Sequence, residues 1–341
     1  MSTVTTYSSA DASAPVLTGQ AGSLVALLDA CLVNGYGSKA AAGWTIPFTA
    51  VNKRVYQSGN NLACPSVVLI IDDGTAAAGG NAKTFGAFGG TSTAGLTYSD
   101  LLDPFPTTTQ KTNGIFGFKS STLDAVAREW LVIADDRTFY LFVSTAAAQA
   151  NGWSPFYFGE IFSYKAASGV ADPNRLIIGG GTYSNAYYGG NLPVATTSSY
   201  ASTRASSPEY MPKSYSGVGS SIVVGKSADV SKSNIAVGST SLYVAGNSAV
   251  PLASLTYPHP VDGGLYLTPL FVYESPGIIR GHLRGVLAPL HVQPLSHGDT
   301  FSGTGQMAGK SFMAVNATGN VSTATYIGQL MLETSSTWDS N

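Results

Sequence analysis

Charged side chains are what this sequence has least of. The chain of 341 residues carries 17 Lys and Arg and 19 Asp and Glu, so only 11% of it is charged. Soluble domains usually carry about 25%. Because 44% of the residues are apolar, with 18 Tyr and 14 Phe, the chain does not have the composition of a disordered protein.

The surface of the protein must therefore carry few charged side chains. Protein interfaces are depleted in Lys, Glu and Asp and enriched in aromatic residues, so the composition favours a protein that assembles with copies of itself or with fixed partners. A secreted protein with a surface rich in Ser and Thr hydroxyl groups is the alternative interpretation.

The sequence also lacks a net positive charge, long apolar runs and the features of a signal peptide, and each absence makes one class of partner or one route of export less favoured. The formal net charge of −2 supplies no positive field, which disfavours sequence-independent binding of nucleic acid. The densest apolar run, residues 67–71, is far shorter than the roughly 18 residues of a membrane span, so no membrane partner is expected. Residues 1–14 have neither the basic region nor the apolar run of a signal peptide.

Cysteine is nearly absent as well. Cys31 and Cys64 both lie among apolar residues and do not form a CxxC pair. We expect two buried free thiols rather than a disulfide, and neither position indicates a metal site.

The pattern of apolar residues predicts an all-β chain, as a sandwich or barrel, with one short N-terminal helix. Leu24, Leu27, Leu28 and Cys31 share one helical face, which predicts an amphipathic helix over residues 23–33 that stops before two glycines. Short apolar or alternating runs bounded by Gly, Pro, Asp and Asn then predict strands. These candidate strands are residues 44–56, 66–71, 130–134, 137–143, 156–164, 175–178, 265–273, 278–287, 311–315 and 326–332.

The clearest unit is REWLVIADDRTFYLFV, residues 128–143. Its two apolar runs flank Asp135 and Asp136, which predicts a tight hairpin with the acidic pair at the turn. Both faces of both strands are apolar, so we place this hairpin at the centre of the fold.

A change of composition suggests two parts. Residues 179–260 are rich in Gly, Ser, Thr and Tyr, and they read as a β-rich inserted subdomain or long excursion within a main β domain formed by residues 1–178 and 261–341. Four of the tyrosines in this stretch are candidates for stacking against a host receptor or glycan. They are Tyr183, Tyr187, Tyr188 and Tyr200.

No arrangement of residues indicates catalysis. His291, His297 and Asp299 are close in sequence, but spacing alone does not make a metal site. Asp72 with Asp73 and Asp135 with Asp136 end apolar strands, where turns favour Asp. There is no GxGxxG, Walker or GxSxG motif. We expect no enzyme activity, no catalytic residue, no metal and no cofactor.

One strand carries a possible contact surface. In residues 279–287, alternation sends Arg280, His282 and Arg284 to one face, while Gly281 and Gly285 allow close approach of another backbone. This basic stripe fits an acidic patch on a neighbouring subunit. A solvated strand face is the alternative, and nucleic acid is a distant third because one stripe neutralises few phosphates.

Four segments carry a resemblance to a known family. They are GWTIPFTAVNKRVYQSG (43–59), REWLVIADDRTFYLFV (128–143), FYFGEIFSYK (156–165) and GIIRGHLRGVLAPLH (277–291). Together they resemble uncharacterised virion structural proteins of tailed bacteriophages, over about half the chain and outside residues 179–260.

The resemblance implies a non-enzymatic component of the virion, assembled in the host cytoplasm from several copies. Its place would be the tail, the baseplate or the head–tail region, and its partners would be copies of itself and other virion proteins. A receptor- or glycan-binding module displayed on the particle is the second hypothesis, and a polysaccharide hydrolase carried by the particle is the third.

Overall fold

The computed structural model describes residues 3–59, 66–74, 84–120, 122–144, 153–180, 209–226, 241–244, 248–251, 257–274, 278–291, 294–318 and 327–339. Within these ranges the chain is mostly β, which confirms the predicted all-β class with a short N-terminal helix. The first eleven strands are β1 (Thr5–Ser8), β2 (Thr45–Ala50), β3 (Lys53–Gln57), β4 (Val68–Asp72), β5 (Thr84–Gly90), β6 (Ser92–Thr93), β7 (Leu101–Leu102), β8 (Ile115–Phe118), β9 (Trp130–Ala134), β10 (Thr138–Ser144) and β11 (Trp153–Ser163).

The remaining strands follow a single helical turn, α2 (Tyr164–Ala167). They are β12 (Leu176–Gly179), β13 (Glu209–Met211), β14 (Ile222–Lys226), β15 (Ser241–Val244), β16 (Ser248–Pro251), β17 (Leu267–Glu274), β18 (Ile278–Pro289), β19 (Thr300–Ser302), β20 (Ser311–Thr318) and β21 (Ile327–Glu333). The described residues also include two 3₁₀ turns, Tyr98–Asp100 and Gly305–Met307.

The N-terminal helix is α1 (Ser23–Leu28), and it continues as a π-helix over Asp29–Asn34. Leu24, Leu27, Leu28 and Cys31 are buried, as the apolar spacing predicts. The helical segment ends at Gly35, whose φ of 76° is favourable for glycine. Sequence spacing located this segment but gave no sign of its change to π geometry.

Twelve strands form one large sheet, in the order β1-β9-β10-β11-β12-β13-β14-β17-β18-β21-β20-β19. The sheet curls until two distant strands meet, because Ile161–Ser163 at the end of β11 pair with Gly281–Leu283 of β18. Six antiparallel strands from β11 to β18 are thereby closed into a ring. β11 and β18, with 11 and 12 residues, are long enough to exchange partners along their length.

The β9–β10 hairpin lies in the interior, as predicted, and separates two apolar cores. Alternate residues of each strand face opposite sides. One core receives Trp130, Val132, Ala134, Phe139, Leu141 and Val143 and includes the N-terminal helix. The other receives Leu131, Ile133, Tyr140 and Phe142 and includes residues of β17, β18, β20 and β21.

A second sheet has the order β2-β3-β4-β5-β8. The prediction of one strand over residues 44–56 is wrong, because the segment turns back on itself as the β2–β3 hairpin. Asn52, with φ of 56°, takes the left-handed conformation at the turn, which Asn tolerates better than most residues.

Two strands from the compositionally distinct stretch 179–260 belong to the large sheet. β13 pairs with β12, and β14 pairs with β17. β15 and β16 form a separate two-stranded hairpin. The division into a main domain and an inserted subdomain remains a prediction.

Candidate functional site

The basic residues singled out on β18 are the natural starting point, and Arg284 is buried with 3% of its surface exposed. Its Nη2 donates to Asp135 Oδ2 at 2.6 Å, and its Nη1 donates to Thr138 Oγ1 at 3.0 Å. Asp135 Oδ1 also accepts the backbone N–H groups of Arg137 and Thr138. Asp135, in the turn of the β9–β10 hairpin, is thus the counter-ion of Arg284 on β18, a strand far away in sequence.

Arg280 is buried to a similar degree, with 2% exposed. Its Nη1 donates to Glu274 Oε2 at 2.9 Å, and its Nη2 lies 3.2 Å from Asp172 Oδ2. The Ser163 hydroxyl donates to the same Asp172 oxygen at 2.7 Å. Arg280 therefore connects β17, β18, the end of β11 and the loop before β12.

The interpretation of Arg280, His282 and Arg284 as an accessible basic stripe is wrong for both arginines. Their charges are neutralised inside the chain by Asp135, Asp172 and Glu274, so they are not available to an acidic patch on a neighbour. The expected close approach of another backbone is confirmed at Gly281, which packs so closely on the Phe162 carbonyl that a Cβ there would overlap it, whereas at Gly285 the close neighbour is the Trp338 side chain.

Arg175 and Glu160 form another ion pair that is buried within the chain. Arg175 Nη2 lies 3.2 Å from Glu160 Oε2, and burial raises the pKa of Glu160 while Arg175 opposes that rise. At least eleven of the 36 charged residues are buried, which leaves at most 25 for the surface. The buried ones are Asp73, Lys119, Asp135, Glu160, Asp172, Arg175, Glu209, Glu274, Arg280, Arg284 and Glu333.

His282 is the member of the predicted stripe that does reach the surface, where it is half-buried. Its ring stacks on Phe162 with centroids 4.8 Å apart, and its Nδ1 lies 3.2 Å from the Tyr164 hydroxyl. Tyr164 is 37% exposed, and its ring contacts that of Phe271 edge-on with centroids 6.4 Å apart. We call Phe162, Tyr164, Phe271 and His282 the aromatic patch.

Burial lowers the pKa of His282, although Asp339 acts in the opposite direction. The neutral imidazole is therefore favoured, and the aromatic patch presents ring surface rather than charge. Sequence reasoning missed its other three members. The alternation of FGEIFSYK could have suggested an outward Phe162, but the pairing of β11 with β18 that assembles the patch leaves no local signal.

The histidines considered as metal ligands have other partners. His291 Nε2 accepts the backbone N–H of Tyr266 at 3.0 Å, and His297 Nδ1 accepts that of Asn316 at 3.1 Å. Asp299 Oδ2 accepts the backbone N–H of Ser296. In the part of the chain that the structure describes, no group of three or more His, Cys, Asp or Glu is placed to hold a metal ion.

Several predicted residues remain to be placed. Cys31 is buried and free, as expected, whereas Cys64 lies outside the described residues. Tyr183, Tyr187, Tyr188 and Tyr200 also lie outside them. No helix within the described ranges is long and apolar enough to cross a membrane.

Comparison with known proteins returns no match, either to a protein-family model or to a curated protein sequence. The resemblance to phage virion proteins therefore rests on the four quoted segments alone.

Proposed function

We propose that this protein is a structural component of a tailed bacteriophage particle, in the tail, baseplate or head–tail region. It acts by symmetric self-assembly and by contact with neighbouring virion proteins. The observation that carries the proposal is the distribution of charge: at least eleven of 36 charged residues are buried, while an aromatic patch lies at the surface.

The small number of surface charges matters because water must leave both surfaces when an interface forms. Desolvating an ion costs several kcal/mol, so a surface with few charges loses less when it is covered. Arg280 and Arg284 add no such cost, because their ion pairs already lie within the chain. A charge-poor surface also lacks the repulsion that keeps ordinary domains apart.

The aromatic patch is the best candidate for the centre of such a contact. Aromatic side chains are enriched in interfaces, and they supply large contact area at small conformational cost. The rings of Phe162 and His282 are already stacked, and Tyr164 is held against both Phe271 and His282. Little ordering entropy remains to be lost on association.

Sedimentation velocity of two variants tests this assignment. Tyr164→Asp places a charge in the aromatic patch, and we expect it to shift the protein to smaller species. Val51→Asp is the matched control, because Val51 is 89% exposed at the β2–β3 turn, and it should sediment like the wild type. Identical sedimentation of all three proteins would exclude the aromatic patch as a contact, and a monomeric wild type would overturn self-assembly.

Receptor or glycan binding remains the second hypothesis from the sequence. The tyrosines proposed for it lie outside the described residues, so no contact of the structure favours it over assembly. Enzyme activity likewise has no candidate residue among those described.

A further inference from the structure

The ion pair between Asp73 and Lys119 is buried, and its cation is a lysine rather than an arginine. Asp73 directly follows β4 and Lys119 directly follows β8. Both strands pair antiparallel with β5, which lies between them, so their ends meet at the same end of the five-stranded sheet. Lys119 Nζ contacts Asp73 Oδ1, and both side chains are 0% exposed.

This ion pair differs from the others in its cation. The other ion pairs that are almost wholly buried in the described residues use Arg175, Arg280 and Arg284. A guanidinium stays protonated, whereas a lysine amine can lose its proton when buried and then act as a nucleophile. Lys119 is therefore the buried cation that can attack the carboxyl group beside it.

Burial shifts the pKa values of both partners in the direction that increases their neutral forms. Burial raises the pKa of Asp73 and lowers the pKa of Lys119, although each partner opposes the shift of the other. A neutral carboxylic acid and a neutral amine are the species that condense to an amide. Asp73 Oδ2 meanwhile accepts the Leu24 N–H at 2.8 Å, a donor that can stabilise negative charge on this oxygen.

We propose that Lys119 and Asp73 condense to form an intramolecular isopeptide bond. Nζ adds to Cγ of the protonated carboxyl group, and the electron pair of the Cγ–Oδ2 double bond moves onto Oδ2. A proton then passes from nitrogen to the Oδ1 hydroxyl, the Cγ–Oδ1 bond breaks and one water leaves. No oxidant or other co-reactant is required.

The amide that results would keep the present hydrogen bonds. Lys119 Nζ already donates to the Gln20 carbonyl at 2.6 Å, and the amide N–H can continue to do so. Oδ2 becomes the amide carbonyl and retains the Leu24 N–H. The bond joins residues 46 positions apart and ties together the strands on either side of β5. It is independent of the proposed assembly.

Mass spectrometry of the full-length wild-type protein under denaturing conditions tests the bond. We expect a mass lower than that of the sequence by one water. After trypsin digestion, peptides 55–83 and 112–128 should appear as one linked species, uncleaved at Lys119. An unshifted mass with separate peptides would overturn the proposal and leave an ion pair only.

The linkage of the two peptides distinguishes the isopeptide bond from another reaction that loses one water. Asp73 precedes Gly74, and a succinimide between them would give the same mass change. That product leaves the two peptides separate, so finding it would also overturn the proposal. Because the wild type itself is measured, the test does not depend on whether a variant folds.

Two variants assign the partners. Lys119→Arg keeps the positive charge and should restore the full sequence mass. Lys53→Arg is the matched control, because Lys53 Nζ lies 3.3 Å from Oδ2 of Asp72, the residue before Asp73, in a partly exposed ion pair. This variant should still have a mass lower than that of its sequence by one water. Persistence of the linked species in Lys119→Arg, or its absence in Lys53→Arg, would contradict the assignment. Sedimentation of the wild type tests assembly separately.

Discussion

The replacement of Arg284 by methionine tests whether this residue is an internal counter-ion. Methionine keeps an unbranched apolar side chain but removes the guanidinium that binds Asp135 and Thr138. Asp135 is 0% exposed and would remain in the core without its cation. The guanidinium also lies 5.8 Å from the Trp338 ring centroid, a contact that is lost as well.

The expected loss of stability is large. Removing one partner of a buried ion pair costs about 3–5 kcal/mol, because the remaining charge stays buried. The contact with Trp338 adds about 0.5–2 kcal/mol. The backbone N–H groups of Arg137 and Thr138 still bind Asp135 and reduce the penalty. We therefore expect Arg284→Met to lower the free energy of unfolding by about 3–5 kcal/mol.

Urea unfolding gives this free energy directly. Arg137→Met is the matched control, because Arg137 lies in the same turn and pairs with Asp136 at 3.6 Å in a partly exposed position. It should cost no more than about 1 kcal/mol. Adding Asp135→Asn to Arg284→Met should recover part of the loss, because neither charge of this ion pair then remains buried without its partner. Equal effects of the two arginine variants would refute the internal role of Arg284.

Two further predictions concern backbone geometry and pH. Gly285 and Gly263 have similar φ values of 66° and 70°, but a Cβ at Gly285 would overlap the Trp338 ring whereas a Cβ at Gly263 meets nothing. Gly263→Ala should cost about 1 kcal/mol for its backbone, and Gly285→Ala about 1–3 kcal/mol more in urea unfolding; equal losses would contradict the packing. Burial lowers the pKa of His282, flanked by Asp339 and Lys310, and of His297, near Glu129. At these two sites the unfolded chain then binds more protons than the folded one. The contribution of the two histidines to stability should therefore be fully present above about pH 6.5 and be lost as pH drops below it, and replacing both by Gln should remove this dependence.

The elements that sequence predicted are those with strong local patterns. The β9–β10 hairpin was recognisable because two apolar runs flank an acidic turn, and β9 spans residues 130–134 as predicted. The N-terminal helix was recognisable from the spacing of its apolar residues. In each case the residues that determine the structure lie close together in the chain.

The elements that sequence missed depend on distant partners or on glycine. β5 reads TFGAFGG and lacks an apolar alternation, yet its Gly89 leaves space for the rings of Phe105 and Phe158. The alternation of β18 predicts Arg284 on an accessible face and gives no sign of its carboxylate partner, because Asp135 is 149 residues away. The aromatic patch and the Lys119–Asp73 pair were missed for the same reason, since strand pairing brings their members together.

The native mass of the wild-type protein is the most direct test of assembly. We would measure it by light scattering across protein concentration and salt. A charge-poor surface predicts a discrete oligomer whose mass does not change with salt, because apolar contacts are not screened as ionic contacts are. A monodisperse monomer at the highest concentration would contradict the account.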